Sequence, residues 1–161
     1  RQRDRHVVAQ VEAQRVAAAG DAEDLAVGDE RDLDEHVPSG ELTGEPVELR
    51  ADALLLRRLV RNLLDNARRH AAGSEVTACV ERAPAGARLR VADRGPGVPE
   101  SERERIFEPF YRGERARAGG DGGAGLGLAI AREIARAHGG DIALDAGDGS
   151  RGARFVVRLP G

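Results

Sequence analysis

The sequence predicts an α+β fold: a two-layer α/β sandwich in one domain over residues 1–161, its mixed, mostly antiparallel sheet of about five strands covered on one face by three helices. Three observations lead there. Asp52 to His70 places Leu56, Leu59, Val60, Leu63, Leu64 and Ala67 at intervals of three and four, which gives a helix with one buried stripe. Short runs of alternating apolar and polar residues, each bounded by Gly, Pro or Asp, read as strands joined by tight turns. No GxGxxG follows a first strand, so a Rossmann order is not supported. A chain of 161 residues can bury a core of its own.

Taken in order, Arg5 to Ala18 is expected to be a short helix, with Val7, Val8 and Val11 inward and Asp4 as cap. Gly20 to Gly44 is acidic and rich in turns, with short strands near Leu25-Ala26-Val27 and Val37. Glu45 to Arg50 alternates through Val47 and Leu49 and leads as a strand into the long helix, for which Asp52 is the N-cap and Gly73 lies past the end. Val76 to Glu81 and Ala87 to Ala92 form an antiparallel pair around Pro84-Ala85-Gly86.

Ser101 to Ile106 forms a helical turn, and Arg112 to Gly123, with glycine, charge and no apolar anchor, is expected to be a mobile loop. Ala129 to His138 is a helix with Ile130, Ile134 and Ala137 inward, stopped by Gly139-Gly140. Asp141 to Ala146 and Gly152 to Leu159 close the sheet as a hairpin around Asp148-Gly149.

Composition excludes several functions. With 25 basic and 28 acidic side chains and a formal charge of -3, no basic field argues for nucleic acid. Every basic side chain other than histidine is arginine, so the lysine of a GxxxxGK[ST] phosphate loop is missing. A single cysteine, Cys79, excludes an internal disulfide, fits a reducing compartment, and reads as a strand residue in VTACV. No apolar run is long enough to span a membrane, so no direct insertion of this chain is expected. Three Phe and one Tyr leave an aliphatic core, and Phe107 and Phe110 are expected to anchor the start of the loop that follows them.

Four polar or glycine-dense features remain. Asn62, Asn66 and His70 fall on one line of the long helix at i, i+4 and i+8, with Arg69 beside them. Helix propensity gives no reason for two interior asparagines. Asp93 precedes Gly95-Pro96-Gly97-Val98; a carboxylate there can accept from an exocyclic amine while the glycines let a flat ring approach the backbone. Phe107-Glu108-Pro109-Phe110 comes next. Gly119 to Leu128 then runs glycine-rich into a helix N-terminus, where free backbone amides suit an anion.

In this order the four features resemble the catalytic, ATP-binding domain of bacterial sensor histidine kinases, the Bergerat fold shared with gyrase, Hsp90 and MutL. The resemblance runs from about Arg5 to Leu159. It implies that Asp93 binds the adenine amino group, with Gly95 and Gly97 beside it and Val98 as an apolar wall. It implies that Asn66 supplies its amide oxygen to Mg²⁺, which needs few protein ligands, and that Asn62 is a second polar contact. Arg69 takes the place of a basic residue near the phosphates, and His70 that of a ring beside the nucleotide. Gly123, Gly125, Leu126 and Gly127 form the phosphate-facing loop, where a β-branched residue at Gly125 or Gly127 would block close approach and penalise positive φ. Arg112 would reach the terminal phosphate. Asn66, Arg69 and Arg112 are thus the expected catalytic residues, and ATP and Mg²⁺ the cofactors.

The resemblance also implies the partners: the histidine-bearing dimerisation domain of the same kinase, expected to be absent from this chain, and a downstream response regulator. The location expected is cytoplasmic, as a soluble kinase or the inner part of a membrane-anchored sensor. His6 lies where the domain begins and is not read as the phosphorylated histidine. Hydrolysing relatives carry a water-activating glutamate one turn before the magnesium asparagine. Here that position is Asn62, and an amide is no general base, which favours phosphotransfer over hydrolysis. The alternatives are a serine kinase of the anti-sigma type and a nucleotide-binding interaction module without turnover.

Overall fold

The computed structural model describes residues 6–9, 42–44, 47–71, 74–113, 124–145 and 152–161. The strands are β1 (His6–Ala9), β2 (Leu42–Gly44), β3 (Val47–Arg50), β4 (Val76–Ala83), β5 (Gly86–Asp93), β6 (Asp141–Leu144) and β7 (Arg154–Pro160). The helices are α1 (Ala53–His70) and α2 (Gly127–Ala137), with 3₁₀ turns at Glu100–Glu102 and Arg105–Phe107. Five strands form one sheet in the order β2-β4-β5-β7-β6; β2 joins β4 in parallel and every other pair is antiparallel. The expected mixed, mostly antiparallel sheet is therefore observed.

One element differs. Within the expected helix Arg5 to Ala18, His6–Ala9 is a strand paired antiparallel with β3, from His6 opposite Arg50 to Ala9 opposite Val47. Adjacent β-branched Val7 and Val8 favour a pleated backbone, and the edge of β3 supplies the partner that helix spacing alone did not foresee. The remainder of that segment, and the strands expected near Leu25 and Val37, lie outside the described residues, as does Gly73.

The pleat explains the layering. Val76, Ala78 and Val80 of β4 face the same way as Leu89 and Val91 of β5 and Phe155 and Val157 of β7, by their register. On this face α1 lays Leu59, Leu63 and Ala67, and α2 lays Ala131, Ile134 and Ala135, into one core with Val91, Ile142, Phe155 and Val157. A second, smaller cluster at the turn end joins Val47 and Leu49 of β3 to Val80 and Ala87. Val47 and Leu49 of β3 thus cover part of that face beyond the helices. The opposite face carries Glu81, which accepts from Arg88 at 2.9 Å and from Arg90.

Candidate functional site

Asp52 caps α1 as expected: its Oδ1 accepts from the amides of Leu54 at 2.9 Å and Leu55 at 3.1 Å. At the other end Arg68, Arg69 and His70 fill the last turn, where cations suit the helix dipole. Arg69 and His70 are exposed, and Asn62 and Asn66 are half-buried beside the stripe of Leu59, Leu63 and Ala67. The Nδ2 of Asn62 is buried with no hydrogen-bond partner among the described residues. A buried amide left so costs about 1–3 kcal/mol, which a ligand acceptor would offset.

Asp93 ends β5 and is the buried charged residue of the described part, 7% exposed. Its Oδ1 accepts from the Gly95 amide at 2.8 Å and the Ala153 amide at 3.1 Å, while its own amide donates to the Ala153 carbonyl at 3.0 Å. One carboxylate oxygen is thus fixed by backbone, and no donor is found for Oδ2 among the described residues. Beside it, a Cβ on Gly95 would stand 2.9 Å from the His70 carbonyl and 3.0 Å from Asp93 Oδ1, so this turn abuts the C-terminal end of α1. Gly97 has φ +73° and leans on the Gly152 carbonyl. Val98 is half-buried against the main core.

Gly152 and Ala153 join this candidate site without having stood out in the sequence. Gly152 has φ +113°, and a Cβ there would lie 1.8 Å from the Asp93 carbonyl. The signal was present only as a glycine preceding the last strand, which local rules read as hairpin chemistry. Its long-range partner is what makes it necessary.

The second half of the site is the start of α2. Asp52, at the N-terminal end of α1, touches His138, at the C-terminal end of α2, so the two packed helices run antiparallel. Eleven residues of α2 extend ~16 Å, which along α1 from Asp52 reaches the level of Asn62 and Leu63. The amides that open α2 therefore lie at the height of Asn62, about one turn short of Asn66. Gly125, at φ +69°, packs on the backbone of Phe110 and Tyr111, where a Cβ would stand 2.7 Å from the Tyr111 carbonyl. Leu126 is half-buried at the cap position of α2.

Two expectations need correcting. Gly127 is the first helical residue, has no positive φ, and a Cβ there would meet nothing within 4 Å, so no backbone constraint of the fold requires glycine. Phe107 is buried, edge-on to Phe155 with centroids 6.3 Å apart and with the Arg132 guanidinium 4.8 Å from its centroid. Phe110, in contrast, is 73% exposed at φ +64° and anchors nothing by its ring; its amide, donating to the Gly125 carbonyl at 3.0 Å, makes the connection. Arg112 is half-buried on the segment leading to residues 114–123, and Gly123, with most of the expected mobile loop, lies outside the described residues.

Residues 51–161 match the family described as histidine kinase-, DNA gyrase B-, and HSP90-like ATPase. The probable sensor histidine kinase TcrY of Mycobacterium tuberculosis is 40% identical over 121 residues, which cover 74% of this chain and 25% of TcrY. The sensor protein IrlS of Burkholderia pseudomallei is 48% identical over 99 residues, 61% of this chain and 21% of IrlS. The chain thus spans about a quarter of these relatives. Among solved structures, the mycobacterial sensor histidine kinase MprB superposes with a TM-score of 0.69 at 35% identity, covering 76% of this chain and 82% of that one. The ATP-binding domain of PrrB from Mycobacterium tuberculosis gives 0.60 at 31%, covering 76% and 79%. Matched over residues 51–161, this chain belongs to the histidine kinase-, gyrase B- and Hsp90-like ATPase family.

Proposed function

We infer that this chain is the ATP-binding catalytic domain of a sensor histidine kinase, and that it presents the γ-phosphate of ATP to a histidine on a separate domain. The observation that carries this reading is Asp93: buried, with Oδ1 fixed by two backbone amides and Oδ2 left to meet an amine at the end of α1. Its likeness to sensor kinases along most of its described length supports the same reading.

Asp93 Oδ2 would accept from the adenine amine, Gly95 and Gly97 would admit the ring, and Val98 would close one side. Asn62 Nδ2 would donate to a phosphate oxygen. Asn66 would hold Mg²⁺ through its amide oxygen. Among the described residues no three His, Cys, Asp or Glu side chains gather as an all-protein metal cage, and Mg²⁺ keeps its waters and uses phosphate oxygens readily. Arg69, His70 and Arg112, with Gly123, Gly125, Leu126 and the Gly127 amide, complete the phosphate side. ATP with Mg²⁺ supplies the activated phosphoryl group; the chain positions it and screens its charge.

Asn62 stands where hydrolysing relatives carry a water-activating glutamate, and an amide is no general base, so transfer rather than hydrolysis is the chemistry favoured. The nucleophilic histidine would come from the dimerisation domain, and the phosphoryl group would pass to a response regulator. No helix among the described residues is long and apolar enough to cross a membrane, and we place the site on the cytoplasmic side.

Titration calorimetry with ATP, with and without Mg²⁺, tests this on the chain and on Asp93→Ala and Asn66→Ala. Magnesium-dependent binding, weakened strongly in both variants, is the expected result. A folded chain that binds no ATP would discard the reading in favour of an interaction module.

A further inference from the structure

The N-cap of α1 has a gap in its chemistry. A capping box would place Glu or Gln three residues after Asp52 to accept from the Asp52 amide. That residue is Leu55. The acceptor comes instead from 86 residues away: the Asp52 amide donates to His138 Nε2 at 3.1 Å. Since Nε2 accepts, it carries no proton, and Nδ1–H donates to the Ile134 carbonyl at 2.7 Å. One neutral ring, in one tautomer, therefore ties the start of α1 to the end of α2.

We propose that His138 is a positioning residue that sets the spacing of α1 and α2, and hence of Asn62 and Asn66 against the opening of α2, and that its protonation loosens this clip. The inference rests on the nucleotide-binding reading of that cleft. An imidazolium has no acceptor, so Nε2–H would face the Asp52 N–H, donor against donor.

The surrounding charges act in both directions. The C-terminal end of α2 favours a cation, while the N-terminal end of α1 opposes one. From α1 the Asp52 carboxylate is directed to the Leu54 and Leu55 amides. On α2 Glu133 pairs with Arg136, which also pairs with Asp141 at the start of β6, and Asp141 takes Arg132. From β7, Arg158 lies opposite Asp141 in register. Glu133 and Asp141 already have arginine partners and Asp52 its two amides, so none replaces the acceptor that the Asp52 amide loses.

His138→Gln is the informative variant: its Oε1 can accept and its Nε2 donate, in the same sense as the neutral ring, without titrating near neutral pH. Two readouts are made on the 161-residue chain from pH 7.5 to 5.5. By NMR, the His138 ring should show the Nδ1–H tautomer at pH 7.5, and the Asp52 amide should follow the titration of the ring. By calorimetry with ATP and Mg²⁺, affinity should fall on acidification by about fivefold more in the wild type than in His138→Gln, the size of one neutral hydrogen bond expressed through the binding-competent fraction. ATP's own protonation is common to both chains and cancels in the comparison.

Parallel pH profiles in the two chains, or an Asp52 amide indifferent to the ring, would overturn the proposal. A wild type that binds no ATP would instead remove the nucleotide reading, and the Asp52 amide would then decide the clip by itself.

Discussion

At Asp93 a single side chain has two tasks that can be separated. Oδ1 closes the backbone of β5 onto Ala153 and Gly95, and Oδ2 is the atom proposed to meet the ligand. Asp93→Asn, with its amide oxygen in the place of Oδ1, keeps the first task and puts a donor where the second needs an acceptor. ATP affinity should fall by at least about tenfold, with urea stability changed by less than about 1 kcal/mol. Asp93→Ala strands both amides and should cost about 1–3 kcal/mol in the same unfolding experiment. The glycines divide as sharply. Gly152→Ala drives a Cβ into the Asp93 carbonyl at φ +113° and should destabilise by more than about 2 kcal/mol. Gly127→Ala, in open space at the first turn of α2, should raise stability by up to about 1 kcal/mol. Any affinity that Gly127→Ala loses then reports approach of the nucleotide rather than a need of the backbone. Asn66 and Asp93 were legible in the sequence because polar residues stand where periodicity or strand pattern expects none. Gly152 was not, since its partner is 59 positions away.

Among the elements, α1, β4, β5, α2, β6 and β7 appear close to where periodicity puts them, because each buries one face against a neighbour that the pattern already implies. The strand β1 is the exception: three valines at helical spacing describe the sequence, but the pairing with β3 decides the backbone. The 3₁₀ turns, α2 and β6 are joined by Arg132, which stacks on Phe107 and bonds Asp141 at 2.9 Å. The Arg132 hydrogen bond, helped by the Ile142 amide, holds the Asp141 carboxyl below its ordinary value of 3.8. A lowered folded-state value stabilises the fold above that ordinary value and ceases to do so as pH falls through the lowered one. Asp141→Asn should therefore reduce urea stability at pH 7, by less than about 1 kcal/mol because the pair is half-exposed. The gap between variant and wild type should close in acid, as pH falls through the lowered value. Equal losses at both pH values would mean that Asp141 acts through packing or its bond to Ile142 rather than through charge.

For the molecule as a whole, the fold class was readable because one amphipathic helix, one shorter one and a set of alternating runs admit few ways of covering a sheet. The residues proposed for the site stood out in the sequence by type and by order along the chain. The three-dimensional closure of the site did not: the antiparallel run of α1 beside α2, and the contact of Gly95 with the end of α1, are products of packing. The division of the apolar residues into two clusters bears on how the chain responds to cleavage. Among the described residues, the larger cluster contains none before Leu59, and the smaller begins at Val47. Among the described residues, a peptide beginning at Val47 keeps every buried contact named above and gives up the pairing of β1 with β3 and of β2 with β4. Cut there, by a protease or by shortening the gene, the polypeptide should still unfold in one cooperative thermal step and still bind ATP within about threefold of the affinity of the 161-residue chain. The part of the chain that recognises nucleotide would then be a separable unit, able to be transplanted behind a different leading segment without re-engineering its interior.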